Sequence, residues 1–353
     1  MKILAIESSC DETAVAVIED SNVMLSNIVA SSMTLHAAFG GVIPEIAARS
    51  HIESIIPVIE ESLGQAMVDW DDIDGIAVTN GAGLSGSLLI GVMTARTLSI
   101  IKDKPLYSVN HVEGHVYANF ITKTALPGYI LRESQPAFPV LAIIVSGGHT
   151  QLAIFENHGE HHIIGKTLDD AIGEAFDKVA KILGLPYPGG PSVSRIAEQG
   201  NANKYSLPKA NMSNSYDFSF SGLKTAVLRL AQKEIGKDFS FPSQNIAEKL
   251  SESQKADIAA GFQRVSIETV VDKAFRAFKQ FNPKSVVVGG GVAANFELRR
   301  QLSEKIPIDV QYADTKLCTD NGAMIGALGC FEYDLQLNQA DPYGLRINPS
   351  LVM

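Results

Sequence analysis

Apolar and polar positions along this chain fall into short blocks of strand-like and helix-like period. Two blocks resemble each other. Residues 3–17 and 140–154 each read as a strand, a tight polar turn and a second strand with alternating apolar residues. Laying Ile3 on Val140, an offset of 137 residues, brings Leu4, Ala5, Ile6, Ser9, Thr13 and Ala16 onto Leu141, Ala142, Ile143, Ser146, Thr150 and Ala153. A small-residue turn at the same register favours duplication over a chance likeness of two buried hairpins. After the first hairpin the pattern predicts a helix over about 44–63, a strand over 73–79, a glycine-rich turn, a helix near 91–101 and a strand over 105–109. After the second it predicts helices over 173–183 and about 251–281, a strand over 285–288, a helix over 295–302, a strand over 309–312 and a final helix. Two α/β lobes facing each other across a cleft are the expected architecture. The expected division is 1–130 for the first lobe, 131–330 for the second and 331–353 for a tail, with the last helix of the C-terminal region packing on the first lobe. The boundary is expected in the Pro- and Gly-rich stretch 125–139.

Composition narrows the classes. At 46% hydrophobic and 19% charged residues the chain reads as globular, with length enough for two cores. A net charge of −10 argues against gripping nucleic acid through one dominant basic face, though not against a nucleic-acid substrate held with help from partners. Cys10, Cys318 and Cys330 are too few and scattered for a disulfide framework or a thiolate zinc site. Glu7, Asp11 and Glu12 interrupt the first apolar stretch, so no signal peptide is read, and no run reaches the roughly 20 apolar residues of a membrane span. No membrane association and a reduced, cytoplasmic location are expected.

The most specific chemistry lies in Asn110-His111-Val112-Glu113-Gly114-His115. Asn110 is a good N-cap, and two histidines four apart in the helix it starts project from one face, close enough to bind one metal ion. A zinc-peptidase helix would carry its acid one place earlier. At about 100° per residue, Glu113 points some 200° away from His111 and cannot serve a metal-bound water. Asp320, in a turn between the last strand and the last helix, is a candidate third ligand, or else simply the cap of that helix. Histidine–carboxylate sets suit iron(II) or zinc.

Three glycine turns follow strands: Ser146-Gly147-Gly148, the segment 81–87, and Gly289-Gly290-Gly291. Together they point to a nucleotide or related phosphate ligand held by backbone N–H groups. No P-loop motif occurs. Gly289-x-Gly291-x-x-Ala294 matches a dinucleotide fingerprint, but too little chain follows Asp314 to complete such a sheet.

Taken together, Ile6–Thr13, Gly41–Glu45, Asn110–His115, Val145–Thr150, Gly173–Lys178, Tyr187–Pro191, Phe218–Thr225, Gly289–Asn295 and Cys318–Met324 resemble the universal tRNA threonylcarbamoyladenosine family, whose bacterial members were once described as glycoproteases. The resemblance runs from residue 3 to about 330. It implies an α/β, actin-like and sugar-kinase-like (ASKHA) fold of two duplicated RNase H-like lobes with a central cleft. It implies an acyltransferase that moves a threonylcarbamoyl group from threonylcarbamoyl-AMP to N6 of adenosine 37, beside the anticodon, in tRNAs reading codons that begin with A. It implies one divalent metal, iron(II) with zinc as the other candidate, on His111, His115 and Asp320. Ile144, Val145, Ser146, Gly147, Gly148, Asp177, Gly190 and Asn295 are the implied adenylate-binding residues. Asp11 and Glu12, in the first lobe's matching turn, are candidate catalytic acids, one of which orients the incoming amine or takes its proton. The partners implied are tRNA, a paralogous TsaB subunit, the ATPase TsaE, and TsaC as supplier of the adenylate. Ala82 stands where the family usually has proline, and the segment 131–138 looks longer than usual. The competing readings are an ATPase or sugar kinase of the same fold, which has no need of the histidine pair, and a non-catalytic scaffold, against which the intact ligand set argues.

Overall fold

The structure is a computed structural model describing residues 1–353. Its strands are β1 (Lys2–Glu7), β2 (Glu12–Glu19), β3 (Val23–Ser31), β4 (Gly75–Gly81), β5 (Leu106–Asn110), β6 (Lys123–Thr124), β7 (Val140–Val145), β8 (Thr150–Asn157), β9 (Glu160–Lys166), β10 (Ser285–Gly289), β11 (Val310–Tyr312) and β12 (Gln339–Ala340). Its helices are α1 (Met33–Ala37), α2 (Pro44–Ala66), α3 (Ser85–Lys102), α4 (His111–Tyr117), α5 (Ile172–Leu183), α6 (Gly189–Ala197), α7 (Ser221–Glu234), α8 (Glu252–Phe281), α9 (Phe296–Lys305), α10 (Thr315–Cys318) and α11 (Gly322–Leu335). They form two compact units. One comprises Met1–Ala137, Asn157–Glu160 and Gln311–Met353; the other comprises Phe138–Glu156 and His161–Val310.

Each unit is built on one sheet, ordered β12-β5-β4-β1-β2-β3-β6 in the first and β11-β10-β7-β8-β9 in the second. Without the two-residue edge strands β12 and β6, the first order becomes that of the second. The registers agree as well. Ile3 lies opposite Ile18 and Glu7 opposite Ala14, while Val140 lies opposite Phe155 and Ile144 opposite Gln151, each pair displaced by the same 137 residues. The parallel partners follow suit, with β1 beside β4 and β7 beside β10. The duplication read from the hairpins therefore extends through the whole sheet.

β1 and β7 are central and wholly apolar in their middles, as strands covered on both faces must be. In the first unit Leu4, Ile6, Val15 and Val17 pack with Ile55, Val58 and Ile59 of α2 and Val92 and Ala95 of α3. On the same strands lies α11, brought close by glycines. A Cβ at Gly326 would meet Ile18 Cγ1 at 2.4 Å, and one at Gly329 would meet Ala77 Cβ at 2.5 Å.

Apart from the short α1, β6, α10 and β12, four elements escape the sequence pattern. β3 is only half-buried and its alternation breaks at Ser26-Asn27. β9 opens on Glu160-His161-His162. α6 opens on Gly189-Gly190-Pro191, which reads as a turn, and α7 carries cations among its apolar residues. α3 also starts earlier than expected, because Gly86 and Gly91 mask its first turns. Gly91 is needed there: a Cβ would meet Ser8 Oγ at 2.2 Å.

Beyond β12, which pairs with β5, the C-terminal segment straps over the same edge of the first unit. Arg96 of α3 donates to the carbonyls of Pro342 (2.6 Å), Tyr343 (2.7 Å) and Leu345 (3.3 Å). Asn348 N–H bonds Asn80 O, Gly83 N–H bonds Pro349 O, and Asn110 Nδ2 donates to Val352 O. No helix is long and apolar enough to cross a membrane.

Candidate metal centre

β5 ends at Asn110, whose Oδ1 accepts from the N–H groups of Val112 (2.9 Å) and Glu113 (3.3 Å) and so starts α4 as expected. His111 and His115 project from one face of that helix, their rings edge to face with centroids 4.8 Å apart. Asp320 precedes α11, but Asn321 caps that helix instead, its Oδ1 accepting from Met324 N–H at 3.0 Å. The Asp320 carboxylate is thereby released from capping. Its Oδ1 lies 3.6 Å from His111 Nε2 and 3.5 Å from His115 Nε2. The ligand atoms of the three residues all fall within 4.8 Å of one another. Two imidazoles and one carboxylate, with coordination positions to spare, fit a divalent transition metal.

Behind His111 stands Glu7, which the sequence reading did not select. It is fully buried at the end of β1. Its Oε2 lies 3.2 Å from His111 Nδ1 and accepts from Thr79 Oγ1 at 2.5 Å, while its Oε1 accepts from Ser9 N–H at 2.6 Å. Burial alone would raise its pKa, but the field of His111 and these hydrogen bonds outweigh it and hold the carboxyl at about 2. His111 shows the reciprocal effect: burial disfavours its charge, yet Asp320 and Glu7 raise it to about 9. An acid ending a strand that is buried on both faces was the signal available for Glu7.

Asp11 and Glu12 follow β1 in its turn. Ser32 N–H and Oγ both bond the Asp11 carbonyl. Glu12 Oε1 accepts from Ser31 Oγ at 2.8 Å, and burial, Asp320 and Asp11 push Glu12 up to about 9. Excess negative charge thus surrounds the histidine pair, as a site built for a cation requires. Glu113 takes no part: burial lifts it to about 7, and it interacts with Tyr117 and Glu332.

In the second unit the turn Ser146–Gly148 closes β7. Ser146 N–H is engaged by His149 O at 2.8 Å, whereas added Cβ atoms at Gly147 and Gly148 would meet nothing within 4 Å. Ile144 and Val145 are buried strand residues leading into it. The Gly289–Gly291 turn lies alongside, with Gly290 at φ +91° and its would-be Cβ 2.4 Å from Val145 O. Asp177 Oδ1 accepts from Gly189 N–H at 2.7 Å, and Gly190 borders open space. Asn295 is more constrained. Its Oδ1 caps α9 through Leu298 N–H, and its Nδ2 donates to Ser194 Oγ and Gln263 Oε1.

The third glycine turn differs from the expectation of an anion site. Gly83 N–H is taken by Pro349 O, Leu84 N–H by Ser9 O, and a Cβ at Gly81 would strike Asn348 O at 2.1 Å. Its glycines admit the chain's own C-terminal segment.

Comparison with known proteins decides the family. A model described as TsaD, tRNA N6-adenosine threonylcarbamoyltransferase, matches residues 23–327. A tRNA N6-adenosine threonylcarbamoyltransferase of Thermomicrobium roseum is 48% identical over 332 residues, covering 92% of this chain and 90% of the relative. The chain belongs to the TsaD family. Its Dictyoglomus turgidum relative of the same name is 46% identical over 358 residues, covering 100% of this chain and 99% of the relative. Among solved structures, full-length HypF in its phosphate- and nucleotide-bound form superposes with a TM-score of 0.58 at 14% identity, over 95% of this chain and 46% of that one. That likeness speaks to fold alone, and the fold is the expected actin-like, sugar-kinase-like one. TsaD membership makes the chain a transferase of tRNA modification.

Proposed function

We propose that this chain transfers the threonylcarbamoyl group of threonylcarbamoyl-AMP to N6 of adenosine 37 in tRNAs that read codons beginning with A. The observation that carries this reading is the gathering of Asp320, distant in sequence, with His111 and His115 into one ligand set in a TsaD chain. Iron(II), with zinc as the other candidate, would sit on these three side chains and supply Lewis-acid polarisation of the threonylcarbamoyl carbonyl.

The chain's own groups do the rest. Glu7 accepts from His111 Nδ1–H and so keeps Nε2 as the donor atom facing Asp320. The N–H groups of Gly147 and Gly148 receive the adenylate phosphate, and Ile144 and Val145 hold that turn at the end of β7. Asp177 accepts from the ribose, and Gly190 leaves room for the nucleoside. Asn295 acts by fixing α9 against α6 and α8. One of Asp11 and Glu12 orients the incoming amine or takes the proton that N6 releases. TsaB, TsaE and TsaC are the proposed co-workers, in the cytoplasm.

The test is reconstitution with those partners, tRNA, threonine, bicarbonate and ATP, reading the modified nucleoside by mass spectrometry. Wild-type protein should form it, and His111→Ala and Asp320→Ala should form none. Full transfer by both variants would sink the metal-centre reading; no product from wild type in a competent mixture would sink the transferase reading.

A further inference from the structure

The second unit distributes its charges unevenly. Around α8 and α9 several surface cations are neutralised, Lys209 by Glu268 and Asp272, Arg264 by Glu268, and Arg300 by Glu297 and Glu304, while Arg276 bonds the Ser215 carbonyl and Lys279 lies over the Phe275 ring. Along α7 and the loop after it they are not. Residues 224–249 hold Lys224, Arg229, Lys233, Lys237 and Lys249 against Glu234, Asp238 and Glu248. Of the acids, Asp238 is turned into its own loop, accepting from Ser240 N–H and Oγ, and Glu234 accepts from Gln254 Nε2. Lys224 is paired to Asp170, but Arg229, Lys233, Lys237 and Lys249 form no ion pair. A locally positive surface thus stands on a chain of net charge −10.

This surface also presents aromatic rings. Phe239 is 73% exposed, with the Arg229 guanidinium 4.5 Å from its ring centre. Lys237 and Lys249 lie 5.8 and 5.9 Å from the ring of Phe241. The loop that carries both rings is built in place. Buried Gln232 donates to Phe241 O at 2.8 Å, and Arg229 Nη1 donates to Phe239 O at 3.3 Å. A cavity of about 600 Å³ opens between Arg229, Leu230, Lys233, Lys237, Asp238 and Phe239. A second, of about 410 Å³, is lined by Lys178, Lys181, Lys224, Thr225, Ser243 and Gln244. Lys178, which is held by Asp170 and Glu174, and Lys181 belong to α5, the helix that also carries Asp177, so this second cavity lies beside the proposed adenylate site.

From this arrangement we infer that the α7 face and the 236–249 loop form the tRNA-binding surface of the chain, cations meeting phosphates and Phe239 offering its ring to an unpaired base. Unneutralised cations interleaved with exposed aromatic rings are what single-stranded or looped nucleic acid recognises. An acidic protein would satisfy the cations but leave the stacking platform unused. The inference rests on the transferase reading for the identity of the nucleic acid.

The test uses the full chain and an unmodified transcript of a tRNA that reads a codon beginning with A, with binding measured by filter retention over a range of salt. Lys233→Glu combined with Lys237→Glu should weaken binding at least about tenfold and flatten the salt slope by about two, one for each lost phosphate contact. Phe239→Ala should weaken binding and Phe239→Trp restore it, a rescue that a merely structural role would not give. Lys209→Glu with Lys305→Glu, the same charge change on the paired face, should leave binding unaltered. In the reconstituted reaction the α7 variant should raise KM for tRNA with kcat unchanged. Unaltered tRNA binding by the α7 variant overturns the assignment, and overturns it in favour of a protein-docking face if that variant instead loses a partner protein. Failure of transfer by wild type, with tRNA binding still dependent on Lys233 and Lys237, would count against the transferase reading and leave the surface standing.

Discussion

Glu7 is one carboxylate with four demands on it, from His111, Ser9, Thr79 and its own burial. Its value lies in setting which nitrogen of His111 carries the proton, because an imidazole that donates from Nδ1 must present its lone pair at Nε2. Glu7→Gln keeps the volume but can turn an amide donor toward Nδ1, which disfavours that tautomer. Metal affinity, read by competition with a chelator, should fall about 10–100-fold, with the fold retained by circular dichroism. An unchanged affinity would mean that His111 is oriented by helix packing and Ser9 alone. Residue chemistry of this kind was half legible. The spacing of His111 and His115 disclosed their shared face, and Asn110 its role as cap. What released Asp320 was its neighbour Asn321, whose side chain competes for the same cap, and no periodicity distinguishes two adjacent capping residues.

At the scale of elements, the hairpins were legible because β1 and β7 are buried on both faces and so carry unbroken apolar runs with a turn at one register. β3 and the edge strand β9 were not, since many of their positions are only partly covered and relax the alternation. The glycine turns were legible as turns but ambiguous in purpose. Those at Gly147 and Gly290 sit in the second unit's proposed adenylate region, whereas that at Gly81–Gly83 receives the C-terminal strap. Arg96 holds this strap through three carbonyls. Replacing it by alanine leaves three acceptors to water and should cost about 1.5–3 kcal/mol, the range for bonds to a charged group. Hydrogen exchange should quicken at the amides of Asn348 and Leu351. Arg96→Lys should recover only part of the loss, because an ammonium cannot span the three carbonyls as a planar guanidinium does.

For the molecule as a whole, buried acid sets a dependence of stability on pH. Glu332, on α11, is almost wholly buried, and burial raises its pKa well above 4.5, with Glu113 adding to the shift and Asn338 opposing it. A carboxyl raised in the folded state stabilises that state while both forms are protonated, below about pH 4.5, and this contribution is lost as pH rises toward the folded value. Glu332→Gln keeps the acceptor for Asn338 Nδ2 and does not titrate. Its melting temperature should match wild type at pH 4.5 and exceed it increasingly toward pH 8, by at most about 1.4 kcal/mol for each pH unit. A constant difference across that range would show that Glu332 is ionised in the folded protein.

The order in which the first unit is assembled has a consequence for synthesis. Glu7, His111 and His115 are made before Asp320 and the strap that reaches Asn110. A chain that stops short of Asp320 holds two histidines without their carboxylate and a helix cap without its final bond. On the proposed reading a metal would be held only once Asp320 has joined the two histidines, so that a product stopping short of Asp320 would lack the centre.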